Sequence, residues 1–421
     1  MSTSPALGTE RRRRPRDRKE QIARVSAEAF SELGYHGVSM ELIAARVGVT
    51  AASLYRHYAR KYDLFREAVL ALGEQLVECT AFLDDEYGDR DDPEEIWDHV
   101  VAQLISTTLR NRSSGGLYRW EGRYLKPEDQ EVLNQQIKLV NRRLQRPLSR
   151  LRPQLKSRQR WTLSSAVLSV IGSITDHRAQ LPDEQTHSTL TRIARAVRDA
   201  DLPDDEPGGD GAAKPSVALA AGEYEQILHA AIMLFNERGY RETGMDDIAA
   251  AAHLPTTSLY RFFSGKGAIL AAIYRRAADR VSSDLSEILG STDNPTDAVT
   301  ELIAAYVRRS FARPELAYVY YAERSNVPPE ERTALRSIQH ATVEAWVHQV
   351  HLATPEIPTE EARFAVHAAF SLVVDLGRLM QYENTEISRA VVCHLLHTTL
   401  LGQAPKAATA ARRGRARQSR R

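Results

Sequence analysis

The chain has 421 residues, too many for one ordinary domain. A composition of 43% hydrophobic and 26% charged residues supports buried cores and excludes a disordered polymer. No apolar run approaches the ~18 residues a membrane span needs, and the basic N-terminus has no apolar segment behind it, so neither a transmembrane protein nor a secretory signal is expected. Cys79 and Cys393 are the only cysteines, which excludes a disulfide framework and a cysteine-built zinc site and points to a reducing cytoplasm.

The net charge of +1 is unevenly placed. Residues 10–20 carry net +4 and residues 403–421 net +7, which leaves the rest near −10. Basic ends of this kind either meet phosphate backbones or serve as solvated tails. The chain also repeats itself. Gly34, Tyr35, Met40, Ile43, Ala44, Ser53, Leu54, Tyr55, Arg56 and Lys61 recur without a gap, 205 positions later, as Gly239, Tyr240, Met245, Ile248, Ala249, Ser258, Leu259, Tyr260, Arg261 and Lys266. Asp92-Pro93 and Pro127-Glu128 recur as Asn294-Pro295 and Pro329-Glu330, at an offset of 202. The expected order is a basic arm (1–17), a helix-turn-helix domain (18–66), a helical domain (67–202) and a Pro/Gly/Asp-rich linker (203–220). A second helix-turn-helix domain (221–271), a second helical domain (272–402) and a basic tail (403–421) follow.

In chain order, Ile22, Val25, Ala29, Phe30 and Leu33 share one face of a 3.6-residue period and predict a first helix that ends at Gly34. Ser39 is placed to cap a helix over 40–47, with Met40, Ile43, Ala44 and Val47 facing inward. Gly48 makes the turn, and Thr50 caps a third helix over 51–58. Two short helices joined through a glycine turn are the helix-turn-helix pattern, whose second helix enters the DNA major groove. Asp92-Pro93-Glu94-Glu95 and Asn294-Pro295-Thr296-Asp297 each open a later helix with a capping side chain, a proline and an acid near the positive dipole end. No stretch sustains period-2 alternation, so each unit reads as all-helical, with about nine helices.

On this pattern the base-reading half is Thr50, Ala51, Ala52 and Ser53, followed by Tyr55, Arg56 and His57. Small residues let the backbone approach the duplex. Arg56 has the geometry for a bidentate guanine contact or for a phosphate. Tyr55 and Lys61 suit phosphate, as do Arg18 and Lys19 at the start of the first helix. The Arg11–Arg14 run suits a minor groove. The second copy repeats the set as Thr256, Thr257, Ser258, Tyr260, Arg261 and Lys266. It departs at three places: Gly244 stands where Ser39 caps, His253 where Gly48 turns, and Pro255 where Thr50 caps. A lost cap costs about 1 kcal/mol.

The pattern GY-x4-M-x2-IA-x3-GV-x4-LY-x2-Y-x2-K resembles the N-terminal signature of TetR-type transcriptional repressors, and both units match it, the second with the departures named above. The tandem arrangement is similar to double-TetR regulators of actinobacteria, some of which control lipid or sterol import and breakdown. This resemblance implies two helix-turn-helix readers, each followed by a ligand-binding and dimerisation domain, with the last two long helices of each unit (156–200 and 358–401) forming a four-helix interface. One chain would then imitate a dimer, with higher oligomers possible on DNA. Its two unlike readers would sit ~34 Å apart on an asymmetric double-stranded operator. It further implies a repressor released by a small-molecule effector of lipid-like kind, working in the cytoplasm and on the nucleoid when bound to DNA. The alternative within the same family is a regulator whose first reader alone binds DNA, the second unit being a structural or ligand-sensing copy.

The effector candidates are aromatic. The first unit offers Trp97, Tyr118, Trp120, Tyr124 and Trp161; the second offers Tyr318, Tyr320, Tyr321, Trp346, Phe364 and Phe370. Aromatics at helical spacing also serve as plain core. Arg119, Arg123 and His367 could meet an anionic group. The pairs His348/His351 and His394/His397 lack carboxylates at ligand spacing, so no metal site and no cofactor is expected. No G-x-S-x-G, P-loop, G-x-G-x-x-G or nucleophile–base set occurs, which argues against an enzyme.

Overall fold

A computed structural model describes residues 15–85, 92–203 and 222–402. The Arg11–Arg14 run, linker residues 204–220 and the 403–421 tail lie outside the described residues. The first half comprises α1 (Pro15–Gly37), α2 (Met40–Val47), α3 (Ala51–Tyr55), α4 (Lys61–Cys79), α5 (Phe82–Asp85), α6 (Pro93–Arg110), α7 (Gly116–Trp120), α8 (Pro127–Leu151), α9 (Ser157–Gly172) and α10 (Asp183–Asp199). The second comprises α11 (Glu223–Arg238), α12 (Met245–Ala251), α13 (Thr256–Phe262), α14 (Lys266–Ser291), α15 (Pro295–Ala312), α16 (Pro314–Ala322), α17 (Pro329–Ala353), α18 (Thr359–Leu379) and α19 (Glu386–Leu401). Among the described residues there is no strand, and the fold is all-α with the helix order of one half, α5 apart, repeated in the other. No described helix is long and apolar enough to cross a membrane.

The chain divides into two compact units. One takes residues 15–75 and 113–135; the other takes 76–85, 92–112, 136–203 and 222–402. The division differs from the sequence-based one in two ways. Segment 113–135 belongs with the first reader, because Glu121 and Asp129 bond to it. The helical parts of both halves merge into one apolar core, and the second reader, whose own core takes in Val319 and Val327, falls in the same unit.

The first reader is built as its residues dictate. Ile22, Phe30, Ile43, Ala44, Val47, Leu54 and Phe65 are all buried, and each large side chain among them stabilises by about 1.5–3 kcal/mol. Ser39 Oγ accepts the Leu42 N–H at 3.2 Å and caps α2. Gly48, at φ 74°, lets two amides close the helix: its own onto Ala45 O and that of Val49 onto Ala44 O. Thr50 Oγ1 accepts the Ser53 N–H at 3.2 Å and caps α3. The third helix was expected to reach Tyr58 and instead ends at Tyr55. The His57 and Tyr58 amides both donate to Leu54 O, a tightening that swings the Tyr58 ring into the core.

The second reader reaches the same shape with other devices. Gly244 cannot cap α12, and the Asp247 carboxylate accepts the Gly244 N–H at 2.7 Å instead. His253 occupies the turn at φ 56°, a left-handed conformation that a side chain adopts at a cost. Asp92 and Asn294 cap α6 and α15 through their side chains, each followed by proline.

Within the larger unit, α9 packs along α18 and α10 along α19. Ala362, Ala365, Ala368 and Ala369 are fully or almost fully buried on α18, where small side chains permit close approach. Ser169 Oγ donates to Asp375 at 2.6 Å, Ser371 Oγ donates to Asp176 at 3.0 Å, and Arg192 pairs with Glu361 at 2.8 Å. His177 and His367 stack with centroids 4.1 Å apart. The two halves of the sequence are thus joined by a four-helix seam.

Candidate nucleic-acid interface

Capping positions the first reading surface. Once Thr50 fixes the start of α3, Ala51, Ala52 and Ser53 form its opening turn, and Ala52 is exposed. Tyr55 is 47% exposed, large for an apolar ring, and Arg56 and His57 are exposed beside it. Arg56 forms no ion pair with another described residue. Arg18 Nη1 reaches Gln21 at 3.5 Å, and Lys19 pairs with Glu67 at 3.0 Å.

The matching surface of the second reader differs in chemistry. Tyr260 is 57% exposed and Thr257 is exposed. Ser258 is half-buried in the same turn. Arg261, the counterpart of Arg56, pairs with Glu223 and lies over the Phe262 ring. Glu223 stands where the first copy has Arg18, and Tyr224 where it has Lys19. The Thr256 hydroxyl donates to Asp246 at 2.8 Å. Residues 18–66 hold eight basic and five acidic side chains, net +3; the matching 223–271 hold four and six, net −2. The difference is written in the sequence, in the charge of each reader rather than of the chain ends.

Lys61 and Lys266 were expected at phosphate. Their ammonium groups hold the loop that leads into the motif. Lys61 Nζ donates to Tyr35 O at 3.0 Å and Val38 O at 3.2 Å, and stands 4.3 Å from the Tyr35 ring centroid. Lys266 Nζ donates to Tyr240 O, Arg241 O and Thr243 O at 2.8, 3.1 and 2.9 Å, and stands 4.6 Å from the Tyr240 ring. Burial, with Arg241 nearby, pulls the Lys266 pKa down from its ordinary value.

Reasoning from the motif missed the partners of these loops. The Tyr35 N–H donates to Glu121 and the Tyr240 N–H to Glu323, both carboxylates buried. The signal was present, since Glu121 and Glu323 recur at the 202 offset already seen in Pro127 and Pro329. It also missed a latch in the first unit. The Tyr62 hydroxyl donates to Asp129 at 2.6 Å and accepts the Lys126 N–H at 2.8 Å, and Arg66 pairs with the same carboxylate. Burial and the Asp129 charge push the Tyr62 pKa up to about 12. These groups line an open polar cleft of about 490 Å³.

The effector candidates do not all converge. Tyr118, Trp120 and Tyr124 lie in the compact unit of the first reader, whereas Trp97 and Trp161 lie in the other. Tyr124 stacks on Tyr35 at 5.7 Å beneath Arg123, and Arg119 lies over Trp120. Trp97 is fully buried beneath Arg198. In the second half, Trp346 and Phe370 meet edge to face at 5.2 Å, with Tyr306, unforeseen, against both. Tyr320 and Tyr321 adjoin each other, and Tyr320 stacks on Tyr274 at 5.0 Å. Burial drives the Tyr306 pKa up and that of Tyr320 to about 12. The Trp346 indole N–H is buried and meets no acceptor among the described residues. Arg378 lies over Tyr318. Phe364 belongs elsewhere, at the seam, against His177 and under Arg112. His367, once a candidate anion partner, is the ring stacked on His177. No cluster of three or more metal-ligating side chains occurs among the described residues.

Comparison with known proteins agrees with this geometry. The profile of the family described as "Bacterial regulatory proteins, tetR family" matches residues 22–68 and 227–273. An uncharacterised HTH-type transcriptional regulator of Mycobacterium tuberculosis is 27% identical over 170 residues, which cover 40% of this chain and 83% of that protein. The HTH-type transcriptional activator FasR of Mycolicibacterium smegmatis is 41% identical over 63 residues, 14% of this chain and 29% of FasR. Among solved structures, the ketosteroid transcriptional regulator KstR2 of Mycobacterium tuberculosis aligns at 19% identity with a TM-score of 0.39, over 46% of this chain and 100% of that one. Two profile matches on two helix-turn-helix segments identify the chain as a carrier of two DNA-binding domains of the tetR family of bacterial regulatory proteins, arranged in tandem.

Proposed function

We propose that the protein regulates transcription by gripping an asymmetric operator, with the first reader making the dominant contact and the second a weaker, differently composed one. The observation that carries this reading is the contrast at matched positions of one scaffold. The first reader is net +3 with Arg56 outside any described ion pair, and the second is net −2 with Arg261 held by Glu223. Phosphate contact dominates duplex affinity and scales with the number of cations offered. Each acid near the duplex subtracts from it. The small side chains Ala51, Ala52 and Ser53 admit the backbone to the groove, Tyr55 and Arg18 flank it, and Arg56 carries the base or phosphate contact. Thr257, Ser258 and Tyr260 retain neutral contact chemistry on the second reader.

The seam between α9 and α18 makes the chain its own dimer in this reading. The effector belongs in the second half, where Trp346, Phe370 and Tyr306 offer apolar area and the Trp346 N–H offers a hydrogen bond to an acceptor on the ligand. Occupancy there favours a state with reduced operator affinity; we assign repression to the DNA-bound state, which the ligand relieves. Duplexes selected from a randomised library by the full chain, followed by footprinting, test the operator claim. One strongly protected half-site with a weaker, dissimilar flank is expected. Two equal inverted half-sites would overturn it. Run-off transcription from the selected promoter tests the sign: stimulation by the protein alone would make it an activator.

A further inference from the structure

The loop that enters each helix-turn-helix is clamped in the same way twice. In the first half, the amide after left-handed Gly34 (φ 73°) donates to Glu121 Oε2 at 2.7 Å. In the second, the amide after Gly239 (φ 84°) donates to Glu323 Oε1 at 3.1 Å. These amides directly follow the glycine that breaks the first helix, and each takes its acceptor from a side chain far along the chain, 86 and 83 residues away. The carbonyl of the same tyrosine is taken by Lys61 or Lys266, the first residue of the helix that leaves the recognition helix. Glu121 is 7% exposed and Glu323 0%. A buried carboxylate is costly unless strong donors meet it. Glu323 also accepts from the Asn326 amide at 2.7 Å.

The clamp therefore grips the motif at both ends. Glutamate and lysine together fix the peptide that feeds α2 or α12, and the lysine ties that peptide to the start of α4 or α14. Neither glutamate lies on the exposed face of α3 or α13. The network is kept in the second copy even though the charges of its reading surface are reversed. What it preserves is the presentation of the recognition helix, whatever contacts that helix makes.

We propose that Glu121 and Glu323 are positioning residues for duplex recognition, locking the entry loop so that α3 and α13 are offered to the groove at a fixed angle. The proposal rests on the DNA-binding reading. Its test uses the full chain with Glu121→Ala and Glu121→Gln. The probes are the duplex selected by the wild-type protein and a scrambled duplex of equal length. A positioning role predicts that Glu121→Ala loses roughly tenfold on the selected duplex. Binding to the scrambled duplex in dilute salt should hold, because that binding needs cations rather than angle. The melting temperature should stay close to wild type, and exchange of the Tyr35 amide should quicken. Glu121→Gln should recover most of the loss, since its carbonyl oxygen still accepts that amide. An unchanged ratio between the two duplexes overturns the proposal. So does an equal loss on both with a lowered melting temperature and no rescue by glutamine. If the wild-type protein selects no duplex at all, the DNA reading fails before any variant is made, and that result stands apart from both.

Discussion

The first and second readers are the same object built for different surfaces. The first helix is kinked at Gly34 in one copy and ends before Gly239 in the other, both glycines at positive φ; both copies hang the next peptide from a buried glutamate, and both hold its carbonyl with a lysine. Yet the first has Arg18, Lys19 and Ser39 where the second has Glu223, Tyr224 and Gly244. Interior positions answer to packing and to backbone groups that need partners, which are the same in both copies. Exposed positions answer only to what they touch, and several of these have diverged while Tyr55 and Arg56 recur as Tyr260 and Arg261. The latches differ as well. In the first copy Tyr62 and Arg66 bond to Asp129, whereas in the second Gly267 occupies the matching position and its backbone lies close against Pro328 and Tyr240.

The largest expected effect comes from removing matched contact pairs. Tyr55→Ala with Arg56→Ala should weaken binding to the selected duplex by about 100-fold or more, in line with ~1–3 kcal/mol for each good contact. Tyr260→Ala with Arg261→Ala should cost less than about tenfold, because Arg261 is already paired and the local field is acidic. Fluorescence anisotropy at one fixed salt concentration compares them. Equal losses would erase the functional difference between the readers.

Next in size is acid sensitivity, which separates the two compact units. Burial, then the neighbouring ring and Arg112, push the His177 pKa well down, and burial with Arg363 pushes that of His367 to about 4. Glu344 opposes the shift at His367, and Arg178 adds to it at His177. The unfolded chain protonates these rings near pH 6.5, whereas the folded chain resists until much lower pH. Stability is therefore full above about pH 6.5 and falls below it, by about 1.4 kcal/mol per pH unit for each ring that stays neutral. In the first unit, burial works against ionisation of Asp129, but Tyr62 and Arg66 outweigh it and its pKa is lowered. That contribution persists until the pH drops below about 4. Calorimetry from pH 7.5 to 5.5 should show the transition of the larger unit moving down while that of the reader unit holds, and His367→Gln should flatten the slope. Transitions moving together would remove the contrast.

Much of this was legible in advance. The motif repeated without a gap at an offset of 205, the caps at Ser39 and Thr50, the bounds of α2 and the all-helical class follow from side-chain type and period alone. The clamp was not legible, because its donor is a backbone amide and its acceptor lies 86 residues away, a relation no period records. The aromatic sets were grouped by sequence neighbourhood. Burial was foreseeable for Phe364, but its partner His177 on the opposite half was not.

A smaller effect is expected at Glu223. Replacing it with the residue of the first copy, Glu223→Arg, releases Arg261 and exchanges an acid for a cation. Affinity should rise by roughly three- to tenfold in dilute salt, and the dependence on salt should steepen by about one to two contacts. An unchanged affinity and slope would mean that the second reader stays away from the duplex, leaving the first to bind alone.

The smallest effect tests whether the second reader's turn is strained. His253 sits at φ 56°, its amide donating to Ala250 O and that of Leu254 to Ala249 O, as Gly48 and Val49 do in the first copy. A side chain in the left-handed region costs roughly 1–2 kcal/mol. Glycine removes that cost but loses about 0.4–1 kcal/mol through the greater freedom of the unfolded chain. His253→Gly should therefore stabilise by about 0.5–1 kcal/mol net, and Gly48→Ala should destabilise by at least as much. Urea unfolding of the two variants reads both. His253 is exposed, so its ring has little packing to lose. A clear loss on His253→Gly would mean that the imidazole itself holds the turn, and the two turns would then be different structures with the same backbone.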